Sequence, residues 1–90
     1  MITTEQRELL QQIQSLALAA GEQTGRTVYH ETRPMPSFGI ITSWVRVIDD
    51  NSQPLHDSEV VLPEELGTTL AQQRDMLASW IALNRQEKAA

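Results

Sequence analysis

Residues that commonly carry out chemistry are few in this sequence, which contains two histidines and no cysteine. A metal site needs several ligands that converge on one point, and His30 and His56 stand in different predicted strands without a cysteine partner. A single histidine on a polar strand more often makes an ordinary surface contact or hydrogen bond. We therefore predict no metal site at either histidine.

The segment that begins at Asp49 has the acidic start of a calcium loop but lacks its later ligands. Pro54 stands where such a loop needs glycine, and Val60 stands where it needs a bidentate glutamate. The same segment is rich in turn-forming residues. A calcium site is therefore not expected here.

The sequence also contains no motif typical of a catalytic nucleophile or of a phosphate-binding loop. The serines have no glycine-elbow context, so a serine nucleophile assisted by a histidine would rest on composition alone. Gly21 and Gly25 frame no phosphate loop, because neither GxGxxG nor GxxxxGK[ST] occurs in the sequence. The sequence favours a protein that is not an enzyme and needs no cofactor. A small enzyme without a recognisable motif is the remaining alternative.

The net charge of −5 counts against binding to nucleic acid or to anionic membranes, because phosphate groups repel an acidic protein. The acidic residues are also unevenly spread. Between Arg46 and Arg74 the chain carries six of them and no basic residue: Asp49, Asp50, Asp57, Glu59, Glu64 and Glu65. Such runs are usually solvated faces. The alternative is an acidic inhibitor or nucleic-acid mimic that presents these carboxylates to a basic partner.

Length and composition favour one small domain over residues 1–90, with a single modest core. The absence of cysteine suits the cytoplasm, where folds are held by packing without disulfides. The first residues lack a basic segment followed by an apolar run, and no apolar stretch approaches the roughly 18 residues that span a bilayer. We therefore expect a soluble, unprocessed, cytoplasmic protein.

The elements that position these residues begin with a helix predicted from Thr3 to Ala20. Thr3 and Gln6 have the spacing of a capping box, and Gly21 is a candidate C-terminal stop. One stripe of the helix is apolar and is predicted to face the core: Leu9, Leu10, Ile13, Leu16, Ala17 and Ala20. Leu18 is predicted to lie on the opposite side.

Three strands follow. The first, predicted over Thr27–Arg33, alternates weakly and is polar enough for an edge strand; Pro34 and Pro36 should end it and turn Met35 and Phe38 toward the core. The central strand is the apolar and β-branched run over residues 39–49. The turn-forming segment over residues 49–54 joins it to a third strand at Leu55–Leu62, so these two strands should form an antiparallel hairpin. Which of Val60 and Val61 faces the helices is left open by the pattern.

A second helix is predicted within Pro63–Lys88. Pro63 suits a first helical position, but Gly67 allows a second possibility, in which the main helix starts at about Thr69 with Gln72 completing a capping box. One broad apolar stripe is predicted to face the core: Leu66, Leu70, Met76, Leu77, Trp80, Ile81 and Leu83. Trp80 is the expected core anchor.

This order predicts an α+β fold in which both helices pack on one face of a three-stranded antiparallel sheet. It resembles double-stranded RNA-binding domains in topology alone. Those domains need a basic cluster at the start of the last helix, where this sequence reads Pro63-Glu64-Glu65. The resemblance therefore implies nothing about RNA binding here.

The central strand is apolar on both sides, although two helices with one stripe each can cover only one face of a sheet. We expect the side with Ile41, Val45 and Val47 to be covered. The other side is then left for a protein partner or a second copy of the chain, and it carries five candidate binding residues: Ile40, Thr42, Trp44, Arg46 and Ile48. Tryptophan and arginine are common in binding hot spots.

Overall fold

The chain folds as a helix, three antiparallel strands and a second helix, which confirms the predicted α+β architecture. The structure is a computed structural model and describes residues 2–63 and 67–85. The elements in chain order are helix α1 (Thr4–Thr24), strand β1 (Thr27–Met35), a short 3-10 turn (Pro36–Phe38), strand β2 (Ile40–Ile48), strand β3 (Pro54–Leu62) and helix α2 (Leu70–Asn84).

Strand β2 is the centre of the sheet, with β1 and β3 hydrogen-bonded to its two sides. Its side chains alternate, so Ser43, Val45 and Val47 are fully buried while the residues between them are partly exposed. This confirms the prediction that the helices cover the Val45 side. On β3 the same alternation buries Val60 (1 % exposed) and leaves Val61 at 40 %.

The core lies between this covered side of the sheet and the two helices. Apolar residues of α1, α2, β2 and β3 form it: Ile13, Ala17, Ala20, Val45, Val60, Leu62, Leu70, Leu77 and Ile81. Leu18 is 61 % exposed on the outer side of α1, as its position in the helical pattern predicts.

The start of α1 confirms the sequence prediction and its end corrects it. The Thr3 hydroxyl accepts a hydrogen bond from the Gln6 backbone N–H, and the Thr3 backbone N–H donates to Gln6 Oε1, which is the predicted capping box. The helix continues past Gly21, because a later glycine, Gly25, takes the left-handed conformation at φ 72° and closes the last turn with its N–H on the Gly21 carbonyl. The buried Thr24 hydroxyl also donates to the Ala20 carbonyl at 2.5 Å.

The end of β1 differs from the prediction. The strand continues through Pro34, which pairs with Ile41, to Met35. A proline is tolerated here because β1 is an edge strand and its missing N–H can be on the unpaired side. Phe38 was expected to turn toward the core, but it lies in the 3-10 turn beyond the strand end and is 77 % exposed.

The hairpin between β2 and β3 is organised by Asp49. Its carboxylate accepts hydrogen bonds from the backbone N–H groups of Asn51 (2.8 Å) and Gln53 (2.9 Å). This is the short-range contact that aspartate commonly makes in turns. The first position of the apparent calcium loop is therefore used to hold the turn.

Helix α2 starts at the second of the two predicted places. Thr69 is its N-cap and forms a reciprocal capping box with Gln72. A continuous helix from Pro63 is wrong, because Gly67 takes a left-handed φ of 84° and the chain is not helical between Gly67 and Thr69. Leu66, Glu64 and Glu65 lie outside the described residues.

The predicted core stripe of α2 is too broad. Leu70, Gln73, Leu77 and Ile81 are buried, whereas Met76 is 41 % and Leu83 85 % exposed. At about 100° per residue, Met76 and Leu83 lie more than a quarter turn from the centre of the buried stripe. Trp80 is between the two groups and packs against the edge of the core while partly exposed, so it is not the central anchor.

Candidate binding site on the open sheet face

The side of the sheet away from the helices is called here the open face. It contains the five predicted binding residues of β2, all of them partly exposed: Ile40, Thr42, Trp44, Arg46 and Ile48. Their neighbours on this face come from the two outer strands, in register with β2. That these residues bind a partner stays a prediction.

Trp44 lies at the centre of an aromatic and ionic cluster on the open face. Tyr29 of β1 stacks against it with ring centroids 6.5 Å apart and planes 18° from parallel. The Arg46 guanidinium lies 4.9 Å from the indole centroid, within the range of a cation–π contact. Trp44 therefore has cross-strand and same-strand neighbours that restrict its rotamer.

Asp57 of β3 connects this cluster through hydrogen bonds. It accepts from the Trp44 indole N–H at 2.9 Å and from two Arg46 nitrogens, Nη2 at 2.9 Å and Nε at 3.3 Å. Arg46 and Asp57 are direct cross-strand partners, so the register of the hairpin brings them together. The polar edge of the indole is thus already satisfied within the protein, and its remaining exposed surface is available to a partner.

Sequence reasoning identified Trp44 and Arg46 but not Tyr29 or the role of Asp57. Both contacts depend on which residues stand opposite each other, and the pattern left the register of β3 undetermined. The opposite charges of Arg46 and Asp57 were the available signal, because oppositely charged pairs favour direct cross-strand positions.

The predicted acidic patch is divided by the fold. Asp49 holds the hairpin turn, and Asp57 pairs with Arg46 and Trp44. The Asp50 side chain is 97 % exposed and lies 3.8 Å from Arg26. Glu59 is on the open face beside Trp44. Of the run from Asp49 to Glu65, two carboxylates are thus committed to contacts within the chain.

His30 belongs to a chain of polar side chains that enters the core. Its Nδ1 lies 2.6 Å from Gln14 Oε1 on α1, and its Nε2 lies 3.3 Å from Ser43 Oγ. The Ser43 hydroxyl donates to Gln73 Oε1 at 2.8 Å, and the Gln73 amide in turn donates to the Ser43 carbonyl and to Ser58. Burial lowers the pKa of His30 below the usual value for histidine.

The His30–Ser43 contact has the residue types of a nucleophile and its base, but its position prevents that chemistry. Ser43 has no exposed surface, and its hydroxyl proton is directed to Gln73. A substrate would have to enter the core to reach it. The contact is therefore best explained as part of a satisfied buried network.

His56 lies on the covered side of β3 beside Trp80, with ring centroids 6.3 Å apart. Its Nε2 is buried and has no hydrogen-bond partner within the described part of the chain. Burial lowers the pKa of His56, and the nearby Asp57 carboxylate partly opposes this shift. Within residues 2–63 and 67–85, no group of three or more His, Asp or Glu side chains could hold a metal ion.

A cavity of about 590 Å³ lies at the end of the sheet near the start of α1, away from the Trp44 cluster. Its lining is mainly apolar, including Ile2, Ile41 and Leu62. Its polar side chains, Thr3 and Gln6, are already engaged with each other's backbone in the capping box. We therefore place the candidate site on the open face, which has an aromatic centre at Trp44.

The described helices include none that is both long and apolar enough to cross a membrane. Comparison with protein-family models, with curated proteins and with solved structures finds no significant match to this chain.

Proposed function

We propose that this protein is a small binding module, without enzymatic activity, that docks a protein partner or a second copy of itself through the open face. One observation carries the proposal: Trp44 is partly exposed and held by Tyr29, Arg46 and Asp57 on the side of the sheet away from both helices. Aromatic residues and arginine are enriched in binding hot spots.

The contacts around Trp44 support this proposal energetically. Docking a mobile tryptophan would cost side-chain entropy on binding, whereas the neighbours of Trp44 already restrict it. Its indole N–H is satisfied by Asp57, so a partner can cover the ring without leaving a buried donor unpaired. Covering the ring and the apolar side chains of Ile40 and Ile48 would then remove further apolar surface from water.

The alternative of an acidic mimic is less well supported, since Asp49 and Asp57 are engaged inside the chain. The enzyme alternative has no accessible nucleophile at Ser43. Neither alternative is favoured by a specific observation.

The test compares the wild type with Trp44→Ala. We expect the variant to stay folded with a loss of at most about 2 kcal/mol, because the residue contributes a few cross-strand contacts and no core packing. Association should weaken by about 2 kcal/mol or more, which is roughly 30-fold. Thermal melts report the first effect; sedimentation and recovery of partners report the second.

Leu18→Ala is the matched control, because it also removes an exposed apolar side chain but lies on α1. It should change neither quantity. If Trp44→Ala unfolds the protein while the wild type is monomeric and binds nothing, Trp44 is a structural residue and the proposed function is wrong.

A further inference from the structure

The two side chains directly opposite Trp44 on the open face are both carboxylates. Glu31 of β1 and Glu59 of β3 are its cross-strand partners in the sheet register. Together with Thr42 and Arg33, they and Trp44 line a cavity of about 210 Å³. This cavity lies on the Thr42 side of Trp44, whereas Arg46 follows Trp44 on the same face in the other direction along the strand.

The charges around this cavity do not cancel. Arg33 is held by Glu31 through Nη2 at 2.7 Å and Nε at 3.1 Å, both to the same carboxylate oxygen. Glu59 forms no salt bridge with a basic group among residues 2–63 and 67–85. The lining therefore has two carboxylates and one guanidinium, with one negative charge left over at Glu59.

The size of the cavity indicates what could enter it. About 210 Å³ is below the roughly 300–1,000 Å³ of sites for whole small molecules. It suits the end of a single side chain. A planar guanidinium matches both parts of the lining, because it stacks on aromatic surfaces and forms paired hydrogen bonds with carboxylates.

We propose that this cavity receives an arginine side chain from a partner protein, paired with Glu59 and packed against Trp44. The inference rests on the proposed function and names the chemistry of the partner, a basic segment. Arg46 does not oppose a second cation, because its charge is paired with Asp57 at 2.9 Å. The net charge of −5 also favours encounter with a basic protein.

The probe is a library of random dodecapeptides displayed on phage, selected on the full chain and counter-selected against Trp44→Ala. We expect the recovered peptides to share an arginine. Calorimetry with one such peptide should show a clear loss of affinity when its arginine is replaced by citrulline, which keeps the shape and removes the charge. Lysine should restore the affinity only in part.

On the protein side, Glu59→Gln should weaken binding of this peptide roughly fivefold, as for the loss of one favourable ion pair. Glu8→Gln is the control with the same change in charge, because Glu8 is exposed on α1 at the other side of the sheet. It should leave the affinity unchanged. The citrulline comparison uses unaltered protein, so the test does not depend on how well the variants fold.

Each other outcome overturns the inference, and they differ in what they say about the proposed function. If the peptides need Trp44 but contain no basic residue, or bind Glu59→Gln as tightly as the wild type, the open face is a binding site for a different kind of partner. A wild-type dimer that Trp44→Ala dissociates shows that the occupant is a second copy. If no peptide is recovered and the wild type is monomeric, both proposals fail.

Discussion

Gln73 shows how much one buried polar residue can matter to this fold. It has no exposed surface, and its amide bridges Ser43 of β2 and Ser58 of β3 from helix α2. A polar group in the core is costly unless it is hydrogen-bonded, and here both ends of the amide are satisfied. Gln73 thereby fixes the position of α2 over the sheet as well as filling space.

Replacing Gln73 by methionine keeps the volume but removes the amide partner of the Ser58 groups and leaves the Ser43 hydroxyl with the longer His30 contact at 3.3 Å. We expect a loss of about 2–3 kcal/mol in the free energy of unfolding, because each buried polar group left unsatisfied costs ~1–3 kcal/mol. Urea unfolding measures this loss. Gln11→Met, on the exposed side of α1, should change stability by no more than about 0.5 kcal/mol. Equal effects of the two substitutions would show that the Gln73 bridge contributes nothing.

The contrast between glutamines shows what the sequence could reveal at this scale. Gln6 and Gln72 were predicted to complete capping boxes, and both do, because the interaction spans three residues and needs only a helix. The bridge from Gln73 to Ser43 spans thirty residues and requires the packing of α2 on the sheet. No local pattern encodes that distance, and the predicted core stripe of α2 did not include Gln73.

At the scale of elements, helix α2 has two apolar stripes with different surroundings. Leu70, Leu77 and Ile81 face the core, while Met76 and Leu83 lie on the outer flank. The sequence showed that the helix is amphipathic but not where the buried stripe ends. That boundary is set by the position of the sheet edge and of α1, which a helical pattern alone does not contain.

Two identical substitutions on α2 separate the stripes. Leu77→Ala should destabilise the protein by about 2–5 kcal/mol, because the leucine is fully buried and its removal leaves a cavity. Leu83→Ala should cost no more than about 0.5 kcal/mol, because the side chain is 85 % exposed. Chemical denaturation of both variants gives the comparison. A large loss for Leu83→Ala would mean that this leucine is buried in the protein in solution, for example by self-association.

Some boundaries of the helices and strands follow from the local sequence, and others depend on tertiary packing. Both strand pairings and the hairpin follow from local alternation and turn residues, and they were predicted correctly. The end of α1 was not, because Gly21 and Gly25 are both plausible stops. Continuing the helix past Gly21 buries Thr24 against the rest of the protein, so tertiary packing favours the later glycine.

For the molecule as a whole, the sheet has a covered face and an open face because the two helices can cover only one side. Two helices with one buried stripe each cover one side of a three-stranded sheet, and the side they cover is the expected one with Val45. The contents of the open face were predicted only along β2. The contributions of Tyr29, Glu31 and Glu59 required the register of the outer strands.

The net charge and the two histidines act in opposite directions as the pH falls. The protein is acidic, with a sequence pI near 4.8, so acidification toward that value reduces its self-repulsion and should slightly stabilise the fold. Burial lowers the pKa of both His30 and His56 in the folded state. The unfolded chain, whose histidines titrate near about 6.5, then binds more protons than the folded chain below that pH.

We therefore expect the free energy of unfolding to decrease as the pH falls from about 7.5 to 5.5. The stability that the neutral histidines contribute is present above ~6.5, and it is lost as the pH drops toward their lowered pKa values in the folded state. The slope for each histidine is below the ~1.4 kcal/mol per pH unit of a fully buried neutral group, because both side chains are partly exposed and screened by solvent. Urea unfolding at several pH values measures it. His30→Gln and His56→Gln should each remove part of the slope, and the double variant should become flat or slightly more stable in acid, because only the charge effect remains. If the double variant has the same pH dependence as the wild type, neither histidine is kept neutral by the fold.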